Sequence, residues 1–143
     1  MEQVLSPREV YDILMQKDAF SRWLGLVPDE IAPGSCKLHF RVTENMLNGF
    51  EIIHGGVVFA AADSAFAFAC NTYGMLSVAL DAHISFIASA KLHDVLYVEA
   101  KEKHRGRKTG FYDIRVTQQD GSLVASFQGT AYQTSKTIRS LKM

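Results

Sequence analysis

The chain has 143 residues, 15 of them Lys or Arg and 15 Asp or Glu, so its formal net charge is zero with neutral histidine. That length suits one domain spanning residues 1–143, able to bury a core without a metal or disulfide. The balanced charge offers no bulk field for nucleic acid or an anionic membrane. Cys36 and Cys70 sit in apolar surroundings without metal-ligand spacing, and nothing resembles a signal peptide. The longest apolar run, Val57 to Cys70, is broken by Asp63 and Ser64 and falls short of the roughly 20 residues a bilayer span needs. The expectation is a reduced, cytoplasmic protein that neither crosses a membrane nor binds nucleic acid.

In chain order, Ser6-Pro7-Arg8-Glu9 combines an N-cap, a proline at the first helical position and a glutamate three residues after the cap, predicting an amphipathic helix over about 7–17 with a Leu5–Val10 staple. Asp18 caps a second short turn that carries Phe20, Trp23 and Leu24 and closes at Gly25, completing an N-terminal helical segment over 7–24 whose aromatics cover the edge of a core. Residues 35–43 alternate, with Cys36, Leu38, Phe40 and Val42 on one side, as in a half-buried strand. A long helix follows, apolar on every face except for Asp63. Four period-two segments come next, at about 76–88, 94–104, 109–118 and 122–133, with turns at Arg105 to Gly110 and at Asp120-Gly121. Their connections are too short for parallel crossovers, which predicts an antiparallel meander. About five strands cannot surround a helix that is apolar all round, so one helix face is expected to lie against a second subunit.

Asp63 is the main chemical signal. A buried, unpaired carboxylate is costly, so it must be hydrogen-bonded, protonated or turned toward a cavity, where desolvation raises its pKa toward values useful to a general base. The structural alternative is a carboxylate tied to backbone donors or to hydroxyls such as Ser64 and Thr72. His54-Gly55-Gly56 stands just before the apolar run. Unpaired N–H groups in a helix's first turn, aided by the helix dipole, can stabilise an oxygen gaining negative charge; alternatively the glycines serve only a tight turn. Asp63 lies eight residues after Gly55, about 12 Å along the axis, too far for both to act within one helix. If they share a reaction they come from different chains, as two antiparallel helices across a two-fold axis would provide.

Asn48-Gly49 is a turn signal, and Asn48 can also orient water or bind a carbonyl. His54 either fixes the loop or acts through its imidazole. Asp81 and His83 share the polar face of their strand with Ser77, Ala79 and Ser85, opposite Val78, Leu80, Ala82, Ile84 and Phe86; Asp81 is either in a ligand groove or solvated. Lys101, Lys103, His104, Arg105, Arg107 and Lys108, diluted by Glu99 and Glu102, form either a solvated hairpin end or a holder of phosphates. The five histidines show no metal-ligand spacing, so no metal is expected, and no Ser-His-Asp triad or Cys-His pair is evident.

Asn48-Gly49, His54-Gly55-Gly56, Ala62-Asp63-Ser64-Ala65-Phe66 and Asn71, followed by "VALDAHISF", "GRKTGFYDI" and "DGSLVASFQGTAY", resemble the PaaI-type branch of the hotdog-fold acyl-CoA thioesterases over roughly residues 10–133. The resemblance implies an α+β hotdog fold, a curved antiparallel sheet wrapped around a long central helix. It implies hydrolysis of an acyl-CoA without metal or cofactor, CoA being part of the substrate, at sites that require a homodimer and commonly sit in a homotetramer. It makes Asp63 the general base or nucleophile and the Gly55 N–H the carbonyl polariser. Asn48 would bind from the Gly55 side, and His54 would support the loop. Gly56, Phe50, Phe59 and Asp81 become substrate-binding candidates, and Arg105, Arg107 and Lys108 candidates for the CoA phosphates. Phe50, Phe59, Phe66 and Tyr73 suggest a flat pocket for an aromatic, phenylacetyl-type acyl group. The chain departs from the family at Phe50-Glu51-Ile52-Ile53 and at "ISFIASAKLHD", differences that bear on the acyl pocket and its rim. Two alternatives stay open: an acyl-CoA hydratase or dehydratase using His54 with Asp63, and a non-catalytic acyl-CoA-binding protein.

Overall fold

Local capping chemistry sets the first two elements. In the computed structural model, which describes residues 3–141, the Ser6 hydroxyl accepts the Glu9 N–H at 3.1 Å while the Glu9 carboxylate accepts the Ser6 N–H at 2.9 Å. This reciprocal pair opens helix α1 (Pro7–Lys17). Asp18 accepts the Ser21 N–H at 2.9 Å and starts α2 (Ala19–Leu24), which Gly25 closes in the left-handed conformation at φ 75°. Phe20 and Trp23 do not cover the core edge as expected: they are 51% and 56% exposed. In so short a helix, Ser21 and Leu24, three residues apart, take the buried face and turn the residues before them outward.

Among the described residues six strands form one antiparallel sheet, one more than expected. Among the described residues strand β1 (Val27–Ala32) pairs with β2 (Ser35–Arg41) alone, and its register is broken between Pro28 and Glu30. Proline and two acids are tolerated because this is an edge strand. In β2 the alternation holds, with Cys36, Leu38 and Phe40 buried. After helix α3 (Gly55–Asn71) come β3 (Met75–Phe86), β4 (Val95–Arg105), β5 (Thr109–Thr117) and β6 (Leu123–Thr137). The order across the sheet is β1-β2-β4-β5-β6-β3.

The four later strands are therefore not a simple meander. β4, β5 and β6 follow one another, but β3 lies beyond β6 at the opposite edge from β1. Residues 87–94 carry the chain across the end of the sheet, pinned by Ile87 and Ala88 N–H groups donating to Val124 O and by His93 N–H donating to Val42 O. On the way, Ala90 O accepts the Ile53 N–H at 2.8 Å, tying this passage to the loop before α3. Short connections exclude parallel neighbours, as argued, but do not force sequential ones.

Helix α3 lies on the concave face. Ala61, Ala62, Ala65 and Ala69 are wholly buried, letting the helix approach the strands closely. At Gly129 of β6 that approach reaches its limit: a Cβ there would stand 2.7 Å from the Phe66 ring. Phe66 fills the centre, packed against Tyr112 and Phe127 at ring-centroid separations of 5.6 and 5.9 Å. At the far end Asn71 clamps α3 to β3, its side-chain oxygen accepting the Ser77 N–H and its amide donating to Ser77 O.

That clamp turns Ser77 toward the helix. A bulge between Ala79 and Asp81 then shifts the alternation of β3 by one residue, so Asp81 pairs with Thr130 and Ala82 with Gly129. The sequence-based division into Ser77-Ala79-Asp81-His83-Ser85 against Val78-Leu80-Ala82-Ile84-Phe86 thus fails at the bulge. Ser77 and Ala79 share the helix-facing side with Ala82, Ile84 and Phe86, while Val78 joins Asp81 and His83 on the outer side.

Candidate active site

The loop before α3 is closed on itself. Leu47 bridges Ile53, Met46 O accepts the His54 N–H at 2.8 Å, and Asn48 O accepts the Glu51 N–H at 3.0 Å. Asn48-Gly49 does open a turn, but the positive φ falls on Glu51, at 62°. The Asn48 side-chain oxygen is spent on the Phe50 N–H at 2.8 Å and, more weakly, on Ile52 at 3.4 Å. Its amide NH2 has no partner among the described residues. What Asn48 offers a ligand is therefore a donor.

Three of the first four N–H groups of α3 are also taken. Gly56 N–H donates to His54 Nδ1 at 2.8 Å, and those of Val57 and Val58 donate to His54 O at 3.0 and 3.4 Å. Gly55 N–H has no acceptor among the described residues, which leaves one helix-terminal donor free for an incoming oxygen. A cleft of about 320 Å³ opens there, lined by Ile52, Ile53, Gly55, Val58, Phe86 and Ala88. Phe86 is the residue that sequence reasoning missed as a neighbour of this site. It lies within the strand predicted over about 76–88 and closes the observed β3, and only the crossing of β3 to the sheet edge returns it to the start of α3.

Asp63 is half-buried in the middle of α3, and burial, with no offsetting charge or hydrogen bond, pushes its pKa above the usual carboxylate range. The tie to nearby hydroxyls is not made. Ser64 is engaged with Ser21, their Oγ atoms 2.8 Å apart, and Ser21 donates to Asp18 at 2.6 Å. The Thr72 hydroxyl donates to Ala69 O and accepts the Gly34 N–H. Asp63 instead shares with Gly56, Phe59, Ala60 and Ala67 the face of α3 that the chain leaves partly uncovered.

Other candidates scatter. Phe50 is 84% exposed at the loop tip, and Phe59 rests edge-on against Phe127 with centroids 5.3 Å apart. Phe66 belongs to the core and Tyr73 donates to Glu102 beyond the helix C-terminus, so neither lines the Gly55 cleft. Asp81 is exposed on the outer sheet face, where with His83, Lys103 and Phe111 it lines a separate depression. It is not brought to Gly55 or Asp63. The Arg105 guanidinium stacks 3.7 Å from the Tyr73 ring centroid and bonds Gln133 at 3.0 Å, while Arg107 and Lys108 are exposed with no ion pair among the described residues. This hairpin stands by the C-terminal end of α3, about 24 Å along the helix from Gly55. Burial raises the thiols of Cys36 and Cys70 to about 12, which keeps them unreactive. No described helix is long and apolar enough to cross a membrane, and no group of metal-ligating side chains is found among the described residues.

The family model described as the Thioesterase superfamily matches residues 50–125, from the loop before α3 into β6. Acyl-coenzyme A thioesterase PaaI of Escherichia coli (strain K12) is 36% identical over 125 residues, covering 87% of this chain and 89% of that protein. The solved structure of the E. coli PaaI protein from the phenylacetic acid degradation operon superposes with a TM-score of 0.90 at 34% identity, covering 92% of this chain and 95% of that one. A hypothetical thioesterase protein from Streptococcus pneumoniae TIGR4, solved with coenzyme A, matches at a TM-score of 0.81 and 26% identity over 90% of this chain and 98% of that one. The chain belongs to the Thioesterase superfamily, within the PaaI-type branch of the hotdog-fold acyl-CoA thioesterases, and is an enzyme of the thioester hydrolase class.

Proposed function

We propose that the chain hydrolyses acyl-CoA thioesters at two equivalent sites of a homodimer, Gly55 of one protomer polarising the carbonyl and Asp63 of the other supplying the base or nucleophile. The observation that carries this reading is a pair of unspent groups, the free Gly55 N–H and the unpartnered, desolvated Asp63 carboxylate. The thioester carbonyl enters the Gly55 cleft and receives N–H donors from Gly55 and from the Asn48 amide. In the general-base route Asp63 takes a proton from water as the water oxygen bonds to the carbonyl carbon. The tetrahedral oxyanion then collapses, the C–S bond breaks, and the CoA thiolate takes up the proton. In the nucleophilic route the Asp63 carboxylate bonds to the carbonyl carbon and the C–S bond breaks, giving an anhydride and the CoA thiolate; water then opens the anhydride, returning the Asp63 carboxylate and the free acid, and a proton from that water ends on the thiolate. Both use only this chain's groups, with CoA entering as part of the substrate.

The dimer reading draws on β3. Among the described residues it pairs with β6 alone, its outward Val78 and bulged Leu80 are exposed, and the Asp63 face of α3 is partly uncovered. Joining two β3 edges across a two-fold axis runs the two α3 helices antiparallel. The β4–β5 hairpin of the protomer that supplies Asp63 then approaches its partner's Gly55. Arg107 and Lys108 of that hairpin meet the CoA phosphates, with Arg105 held beside them on Tyr73. Pairs of dimers assemble into a tetramer.

The acyl group is aromatic and of phenylacetyl type. Phe86 and the apolar Ile52, Ile53 and Val58 at the Gly55 cleft support this, as does the relative from a phenylacetic acid degradation operon. The single domain works in a reducing, cytoplasmic setting suited to two buried free thiols. Hydration at a double bond is disfavoured because His54 Nδ1 is committed to the Gly56 N–H.

The test is thiol release from phenylacetyl-CoA and from straight-chain acyl-CoAs by wild-type and Asp63→Asn protein. The reading expects release by the wild type, fastest with the aromatic ester, and a fall in the variant of roughly 10² to 10⁴. Equal rates for the two proteins would remove Asp63 from the chemistry, and faster turnover of straight chains would remove the aromatic assignment.

A further inference from the structure

Histidine is an uncommon helix cap; Ser, Thr, Asp and Asn dominate that position because a short side-chain oxygen reaches the second or third N–H. Here His54 does this with a ring nitrogen, its Nδ1 accepting the Gly56 N–H at 2.8 Å from an extended backbone at φ −66°, ψ 134°. Its carbonyl takes the Val57 and Val58 donors, and its own N–H is anchored on Met46 O. The ring lies against the Cα of Gly56, where a Cβ would stand 2.9 Å from Nδ1 and 3.1 Å from Cε1.

From this we infer that His54 and Gly56 are one positioning unit. The imidazole, with Nδ1 unprotonated and its proton on Nε2, takes the Gly56 donor, and the His54 carbonyl takes those of Val57 and Val58, so that of the first-turn donors only Gly55 N–H is left without an acceptor among the described residues. Gly56 is glycine so that the ring can occupy the space a side chain would take. An Nδ1–H could not accept this bond. His54 thus acts through Gly55 and carries no proton in the reaction. This inference rests on the thioesterase reading for its kinetic consequence, but its structural half stands apart from that reading.

The test has three arms. In the wild type, imidazole ¹⁵N shifts at assay pH should report the Nε2–H tautomer, and the Gly56 amide should be protected from hydrogen exchange. An Nδ1–H tautomer, an imidazolium or an unprotected Gly56 overturns the inference without any variant. In kinetics, His54→Ala and Gly56→Ala should each lower kcat roughly tenfold or more with KM changed less than about threefold, and combining them should add little. Third, His54→Asn, whose side-chain oxygen can cap the same N–H, should restore most of the activity and the Gly56 protection. A folded His54→Asn as impaired as His54→Ala shows that the imidazole itself is needed. If the wild type releases no thiol from any acyl-CoA, the thioesterase reading fails, and the tautomer and exchange arms still decide whether His54 is the cap.

Discussion

The Phe86 ring closes on the Cα of Gly55: a Cβ built there would stand 3.3 Å from Cε1 and 3.4 Å from Cζ. The ring is 57% exposed, so it can yield a few tenths of an ångström. Gly55→Ala should therefore keep its N–H and much of its activity, at the cost of some acyl-pocket volume. Gly55→Pro removes the donor at a first helical position, where proline is favoured, and follows a residue already in the extended conformation proline requires. The expected result is kcat reduced by about 10²-fold or more relative to Gly55→Ala, with little loss of helix. Steady-state kinetics with circular dichroism on the two variants measure it.

For Asp63 the expected changes in activity and stability have opposite sign. Its folded-state pKa is raised by burial, so the folded protein holds this proton more tightly than the unfolded chain, and ionising Asp63 as pH rises through that raised value destabilises the fold. Asp63→Asn should lose nearly all turnover at neutral pH yet match or exceed the wild-type Tm there. The Tm gain should disappear once pH falls below the ordinary aspartate value of 3.8. Wild-type kcat should likewise fall on acidification at a pH above the ordinary aspartate range. Thermal melts and rate profiles from pH 3 to 8 check both.

Gly129→Ala tests the packing that seats the helix. The added methyl would meet the Phe66 ring at 2.7 Å, and Phe66, wedged between Tyr112 and Phe127, has little room to turn. A loss of about 1 to 3 kcal/mol is expected in denaturant unfolding. Adding Phe66→Leu should recover part of it.

Arg107 and Lys108 carry exposed charges with no ion pair among the described residues. If they meet CoA phosphates, replacing both by alanine should raise KM for an acyl-CoA several-fold, leave kcat nearly unchanged, and flatten the dependence of KM on salt. Acyl-pantetheine, which lacks the nucleotide phosphates, should not distinguish variant from wild type.

Features whose physics acts over three or four residues could be read directly. Ser6 with Glu9, Asp18 with Gly25 and the Asp120-Gly121 turn are local hydrogen-bonding and φ requirements. Asp63 stands out as a polar group where the surrounding pattern calls for none, whereas Asn48 and His54 are marked only as a turn residue and a loop residue beside the glycines. What could not be read depended on long-range pairing. β1 lacks alternation because Pro28, Asp29 and Glu30 lie at an edge, where the usual constraints relax. The passage over 87–94 is compatible with a hairpin or a crossing, and only packing against Val124 and Val42 selects the crossing. The bulge between Ala79 and Asp81 reversed the faces of β3, and the meeting of Phe86 with Gly55 follows from the strand order, with no local signal.

A site divided between protomers can be tested by mixing two defective chains. Asp63→Asn and Gly55→Pro proteins, each nearly inactive alone, are co-expressed with different tags in equal amounts, and thiol release from an acyl-CoA is measured. About half of the dimers should be mixed, each uniting one intact Gly55 with one intact Asp63, so activity should recover to about a quarter of wild type. Purified mixed dimers that stay as inactive as the parents would contradict a site built from two subunits.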